Sequence, residues 1–434
     1  MRIFAAMFKP KPIVISSLVL LAAGIIACFF LVPRKSSRVE SYDEILRFVP
    51  SDACAVVCSS NAQDAQELLF EPLSPYSSLD LRHFHNKKIL VSYHYFGNIS
   101  PMVVIPVGKQ SGKNADRTLG LISQAREIGL NTEVIDNTLL ISESASLLSA
   151  AERHVALNAS ILDLESLKEV MTENKLAGES LVLLRNDAIS YFLEQDFLSK
   201  YFTKKQMRSF LSNFCEWTAL TLQEVEFLGG GEKISFEVYP LISDEFSQFA
   251  AFEDSLPCGD CSYAGKLPRG TSFFMWQMLD SPQYYFSQRR ILLDSRGLLN
   301  NYNIALVKHK EALKESPELW AQRIGIKEVA KIVYKGEELL LFRRDKQEEF
   351  TYAPKTAAVL FGSGFAIKDE TCVVTQGEWA LVGSEAGVRS FQRATPSRRV
   401  RHFKDKNVRA VLWAEDLCFS WTKSGLSFEV YKPY

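Results

Sequence analysis

Twenty consecutive uncharged residues near the N-terminus, Ile13 to Val32 (IVISSLVLLAAGIIACFFLV), restrict this chain more than any other feature. Pro12 and Pro33 bound the run. At about 1.5 Å rise per residue, a helix of that length spans about 30 Å, the thickness of a bilayer's hydrocarbon core. Lipid offers no hydrogen bonds to a backbone, and a helix satisfies its own. Ser16 and Ser17 are compatible with such a span, because a serine hydroxyl can bond back to a carbonyl one turn earlier. The expected layout is therefore a cytoplasmic tail at 1–12, a transmembrane helix at 13–32 and a stem at 33–48.

Two rival processing routes are weaker. A cleaved signal peptide has an apolar region of about 7–15 residues followed by a polar stretch with a small-residue cleavage site. Here Phe29-Phe30-Leu31-Val32 carry the apolar run past every small residue. Ile25-Ile26-Ala27-Cys28 has the form of a lipobox, which makes acylation at Cys28 the alternative anchor. The bulky residues after Cys28 are unlike the polar tether of a mature lipoprotein. Flanking charge is balanced, with Arg2, Lys9 and Lys11 before the run and Arg34, Lys35 and Arg38 after it. A short tail ahead of a long domain favours an N-inside signal-anchor. The body is then expected outside the cytoplasm, in the periplasm of a bacterium.

The body has the makeup of a folded protein. Apolar residues are 47% of the chain, with 29 phenylalanines for a core. Its 50 basic and 51 acidic residues nearly cancel, so no global field draws it to nucleic acid. Of eight cysteines, Cys28 lies in the apolar run. The remaining seven are an odd number, unlike a dense disulfide scaffold. Cys54, Cys215, Cys372 and Cys418 sit in strand-like apolar runs, where cysteine acts as a small hydrophobe.

Three pairs of similar segments recur in the same order. Val49 to Leu69 and Leu267 to Gln288 both run from a proline through a β-rich stretch to a helix-like one. Leu139 to His154 matches Ala380 to Ala394, pairing Leu140 with Leu381, Ile141 with Val382, Ala145 with Ala386, Leu147 with Val388 and Ser149 with Ser390. SFEVY occurs at Ser235–Tyr239 and at Ser427–Tyr431. This order predicts a duplicated domain, with one α+β repeat at 49–240, a linker at 241–266 and a second repeat at 267–434. The stretch from Asn158 to Cys215 has no partner in the second half.

Local periodicity fills in each repeat. β-branched and aromatic runs predict strands at Lys88–Tyr95, Met102–Val107, Thr132–Asp136, Thr138–Ser142, Thr218–Phe227 and Lys233–Tyr239. In the second half they predict strands at Thr271–Met278, Val329–Tyr334, Glu337–Arg343, Thr356–Phe361, Thr371–Thr375, Trp379–Val382, Val408–Ala414 and Leu426–Tyr431. Gly229-Gly230-Gly231, Asp136-Asn137 and Gln376-Gly377 read as hairpin turns. Helices are expected at Ala115–Ile128, Ser144–Val155, Ala188–Ser199, Lys204–Asn213, Asn301–Lys314 and Ser384–Arg393. The fold class is α+β: antiparallel sheets with helices packed on one face.

The anchor, the short polar stem, the proline-led strand opening and the repeated hairpin-then-Ser-x-Ala-helix unit together resemble one group. The chain is similar to a family of uncharacterised membrane-anchored envelope proteins of Bacteroidetes-type bacteria. The resemblance implies a periplasmic location and carries no activity or catalytic residue.

Candidate sites are few. Cys258-Gly259-Asp260-Cys261 is a C-x-x-C, yet it follows Pro257 in a loop-like setting rather than opening a helix after a strand. A local disulfide between Cys258 and Cys261 is the favoured reading. Zinc would need two more ligands, and Cys54 and Cys58 on one strand stand about 13 Å apart. His83-Phe84-His85 lies among Arg82, Lys87 and Lys88, which would repel a cation, and His94, His154, His309 and His402 are scattered. No H-E-x-x-H, phosphate-loop or G-x-S-x-G pattern occurs. No metal, cofactor or catalytic residue is assigned. Ser397 to Arg409 carries Arg398, Arg399, Arg401, Lys404, Lys406 and Arg409 against Asp405 alone, a candidate contact for an anionic surface. Phe273, Phe274, Trp276, Tyr284, Tyr285 and Phe286 read as core.

These features favour a non-catalytic envelope protein, anchored through Ile13 to Val32, that binds a protein or lipid partner. A carrier or chaperone for apolar envelope cargo is the alternative. An enzyme with an unrecognised site is the third reading.

Overall fold

The computed structural model describes residues 42–59, 75–84, 87–95, 99–172, 180–188, 203–228, 231–263, 267–346, 348–396, 407–414, 417–423 and 425–433. The Ile13–Val32 segment, Cys28 and most of the stem lie outside them. Among the described residues no helix is long and apolar enough to cross a membrane. The chain is mixed α+β with a large antiparallel sheet. It divides into two compact units. Of the described residues, one comprises those from 42 to 188 with 215–225 and 238–243; the other comprises those of 203–214, 226–237 and 244–433.

The first unit contains β1 (Ala55–Ser59), β2 (Ile89–Tyr95), β3 (Ile99–Pro106), β4 (Asn131–Ile135), β5 (Thr138–Ser142), β6 (Ser180–Arg185) and the start of β7 (Trp217–Leu228). Antiparallel pairing runs β7–β6–β1–β2–β3–β5–β4. Asp136 and Asn137, both at positive φ, close the β4–β5 hairpin as a two-residue turn. The central strands are apolar on both faces. β1 and β5 are buried at every position, because AVVCS and TLLIS do not alternate with polar residues. Such a sheet needs cover on both sides. The helix Lys113–Glu127 lays Leu121 and Ala125 on the face of Val91, Val103 and Ile141. The helix Ala145–Leu157 lays Leu147, Leu148 and Ala151 on the face of Leu90, Val104 and Leu140. The expectation of helices on one face is corrected accordingly. Tyr42, Ile45, Leu46 and Phe48, assigned to the stem, also pack into this second core around a short helix, Asp43–Leu46.

The second unit takes up part of β8 (Gly231–Leu241), then β9 (Gly259–Asp260), β10 (Thr271–Met278), β11 (Ile326–Tyr334), β12 (Glu337–Arg344), β13 (Cys372–Gln376), β14 (Trp379–Gly383), β15 (Asn407–Ala414), β16 (Leu417–Thr422) and β17 (Gly425–Pro433). The order is β17–β16–β15–β10–β11–β12–β14–β13, all antiparallel. β9 adds to β15, and β17 also pairs with β8. One face is covered by the helices Pro282–Ser295, Leu299–Leu313 and Pro317–Ile324, which centre on Trp320 against Phe342 and Phe350. The other face takes Val388 from the helix Glu385–Gln392. The predicted linker is not a loose tether: the helix Phe249–Ser255 buries Phe252 in this core, and Leu256 follows it.

One predicted strand is a helix. Thr356–Phe361 turns α-helical and buries Thr356, Ala357, Leu360 and Phe361. Its β-branched threonine and valine favoured a strand locally, but the i, i+1, i+4, i+5 set of buried positions fits one helix face. Of the predicted turn glycines, Gly229 and Gly230 lie outside the described residues, as does most of the predicted helix Ala188–Ser199.

Candidate functional site

The groups that most resemble catalytic machinery are buried. Strand alternation places Ser92 and His94 on one face of β2. His94 Nε2 lies 3.0 Å from Ser92 Oγ, and its Nδ1 lies 3.2 Å from Asp52 Oδ1. That order of atoms is the order of a hydrolase relay. The exposure is reversed. Ser92 is wholly buried, whereas the Asp52 side chain is 56% exposed. A nucleophile must meet its substrate, and Ser92 has no route to one. The relay instead straps the Asp52 turn to β2, and the hydrogen bond with His94 holds the Asp52 carboxyl below the usual carboxylate range.

The second unit encloses a comparable polar network. Glu328 is fully buried and accepts from Trp276 Nε1 at 2.8 Å, from Ser262 Oγ at 2.7 Å and from Arg343 at 2.6 Å. Arg343 also reaches Glu378 at 3.2 Å. A buried carboxylate is tolerable only with such partners. Glu253 is buried with one weaker partner, Gln277 Nε2 at 3.2 Å, and burial pushes its carboxyl up to about 7.

The residues singled out from sequence are placed as follows. Cys258 is half-buried and Cys261 buried, and both are free thiols. They flank the short strand β9, Gly259–Asp260. Arg409 is committed to the protein: its guanidinium pairs with Asp254 at 3.1 Å and donates to the Leu256 and Thr422 carbonyls. Arg398, Arg399, Arg401, Lys404 and Lys406 lie outside the described residues, as do His85 and His402. Among the described residues no group of His, Cys, Asp or Glu is placed to hold a metal ion. In the aromatic cluster Phe273, Phe274, Trp276, Tyr285 and Phe286 are core, and Tyr284 is exposed.

A cleft of about 820 Å³ in the second unit escaped the sequence reading. Three separate elements build it. The first is the turn Pro268-Arg269-Gly270-Thr271, closed by Thr271 N and Oγ1 on the Pro268 carbonyl at 3.2 and 2.9 Å. Gly270 has φ +99°, which a side chain would oppose, and Arg269 beside it is exposed. The second is the Lys335-Gly336 turn of the β11–β12 hairpin, with φ +50° and +85° at its two residues. Its backbone is tied to the first turn by Lys335 N on the Gly270 carbonyl at 3.2 Å. The third is the helix Glu385–Gln392, capped by Ser384 Oγ on Gly387 N at 3.0 Å. Arg389 and Arg393 follow one another at i, i+4 along it, and Arg269 N binds the Thr395 carbonyl beyond its end.

The result is a cleft with a cationic rim. Tyr334 is buried and meets Phe391 edge-to-face at 5.8 Å, with Lys335 Nζ 5.3 Å from its ring. Arg269, Lys335, Arg389 and Arg393 stand around it with Ser390 and Thr395. Glu385 pairs with Arg389, and both are exposed. Among the described residues Arg269, Lys335 and Arg393 have no acidic partner. A single lysine or arginine in each segment carries no sequence signal, so the cluster exists only once the fold brings the segments together. No family model, no curated protein and no solved structure matches this chain.

Proposed function

We propose that this is a membrane-anchored, non-catalytic envelope protein whose body is two copies of one α+β unit and whose second unit binds an anionic partner. The observation that carries the binding reading is the cationic cleft, in which three of four rim cations lack an acidic partner among the described residues. The relay-like groups give no competing chemistry, since Ser92 and Glu328 are sealed in packed cores. The anchor at Ile13–Val32 and a periplasmic body rest on the sequence.

The duplication is supported by pairing register. Matching Leu140 with Leu381 places Val104 on β3 opposite the first and Leu341 on β12 opposite the second. Their next partners are Leu90 and Ala330, then Cys58 and Trp276, then Leu181 and Val411, then Thr221 and Ser420. Each step lands on the corresponding strand of the other set. Pro50 bridges to Ser160 and Pro268 to Pro396, each just after the helix that follows the hairpin. The two SFEVY segments fall in β8 and β17, and their phenylalanines, Phe236 and Phe428, stack at 5.8 Å.

The test is capture from native membranes of the full-length protein and of its Arg269→Glu/Arg393→Glu form. A partner, protein or lipid, should be enriched with the native sequence and lost with the charge reversals. Equal enrichment with both would sink the assignment of binding to the cleft.

A further inference from the structure

We infer that the cleft takes a phosphate monoester: the rim of Arg269, Lys335, Arg389 and Arg393 beside Tyr334 is built to hold a dianionic phosphate with an organic group behind it. This rests on the binding reading above and specifies its ligand. Charge is the first argument. Four cations stand around the cleft; Glu385 pairs with Arg389, and Glu337 lies at the start of the same helix on Ser384, leaving a local excess of two. A lone carboxylate would leave half of that excess in place. A phosphate monoester carries close to two negative charges near neutral pH and offers three acceptor oxygens.

Geometry is the second argument. Arg389 and Arg393 at i, i+4 project from the same side of a helix, where like charges repel each other. An anion between them converts that repulsion into attraction. Guanidinium forks present paired donors that match phosphate oxygens, and the flexible Lys335 and the Ser390 and Thr395 hydroxyls can complete the shell. Arg269 joins them from a separate element, the turn that needs glycine at 270.

Size is the third. The open cleft, about 820 Å³, is far more than one phosphate group fills. The remaining space has Ala386, Ala394, Pro396 and the tyrosine ring for walls. A soluble phosphate ester and the headgroup of a phosphomonoester lipid share this chemistry.

Two probes separate the sources: glycerol phosphate and short-chain phosphatidic acid, which carry the same monoester without and with acyl chains. Each is titrated calorimetrically into the full-length protein held in phosphatidylcholine nanodiscs at low salt. Saturable binding of both with similar Kd identifies a soluble ester site, and much tighter binding of the acylated probe identifies a headgroup site. Arg269→Glu and Arg393→Glu should each raise Kd by about tenfold or more, the effect of losing one charge-assisted contact. Arg389→Gln, which only removes a charge, should weaken binding in the same direction. Arg117→Glu, an exposed reversal in the first unit, should leave Kd unchanged. No saturable binding of either probe, or binding indifferent to all three cleft variants, overturns the inference. If the probes fail while membrane capture still depends on Arg269 and Arg393, the phosphate assignment falls alone. If capture is also indifferent to them, the binding reading falls with it.

Discussion

Glu253 and Asp52 are carboxylates displaced in opposite directions, and their effects on stability have opposite signs. Burial raises Glu253 from an ordinary 4.5 to about 7, so folding favours its protonated form. Its stabilising contribution is present below about pH 4.5 and is lost as pH rises through about 7, worth about 3 kcal/mol at most. Urea unfolding of Glu253→Gln should therefore fall less between pH 5 and pH 8 than that of the native protein. Identical pH slopes would exclude Glu253 as the source. Asp52 is lowered by its bond with His94, so its contribution is present above the ordinary carboxylate pKa and lost on acidification. At Glu328 the partner matters more than the charge itself. Arg343→Met leaves that buried carboxylate without its cation and should cost about 3 kcal/mol in chemical denaturation. Adding Glu328→Gln to Arg343→Met should recover part of the loss, and no recovery would mean that the arginine acts by packing alone.

Among the elements, those with short-range signals were legible. Thr138–Ser142 and Thr271–Met278 are strands at the expected residues, because β-branched runs end there at turn residues. Ser144 and Ser384 both cap helices by accepting from the backbone three residues on. Replacing either serine with alanine should cost about 1 kcal/mol, measurable as a shift of the urea midpoint at constant slope. Ser180–Arg185 and Leu417–Thr422 were missed as strands. Short apolar runs of that kind do not reveal their period until neighbouring strands select it. Thr356–Phe361 failed for the related reason that packing outweighed β propensity. The turn read as Gln376-Gly377 is Gly377-Glu378, since Gln376 pairs directly with Trp379. Helices on both sheet faces could have been expected from the unbroken apolar character of AVVCS and TLLIS.

At the level of the whole molecule, sequence order and compact units do not coincide. The described residues of 203–214 and 226–237 belong with the second unit although they precede 241. Phe214 meets Trp421 edge-on at 5.7 Å, and Phe210 and Phe249 extend that cluster. A fragment of 267–434 alone keeps Trp421 but lacks Phe210, Phe214 and Phe249. It should show red-shifted tryptophan emission and no cooperative melt, whereas 196–434 should restore the native emission of Trp421. A cooperative melt for the shorter fragment would refute this account. The cleft was illegible for the same reason that the unit boundaries were: Arg269, Lys335 and Arg389 become neighbours only through the fold, while the eye is drawn to the basic run at 398–409. Finally, burial on both faces of the central strands bears on how this gene can drift. In a saturation-mutagenesis map, Ala55–Ser59 and Thr138–Ser142 would appear as solid intolerant blocks rather than alternating stripes. Tolerated variation would gather at the outermost strands, Asn131–Ile135 and Cys372–Gln376, where side chains are largely exposed.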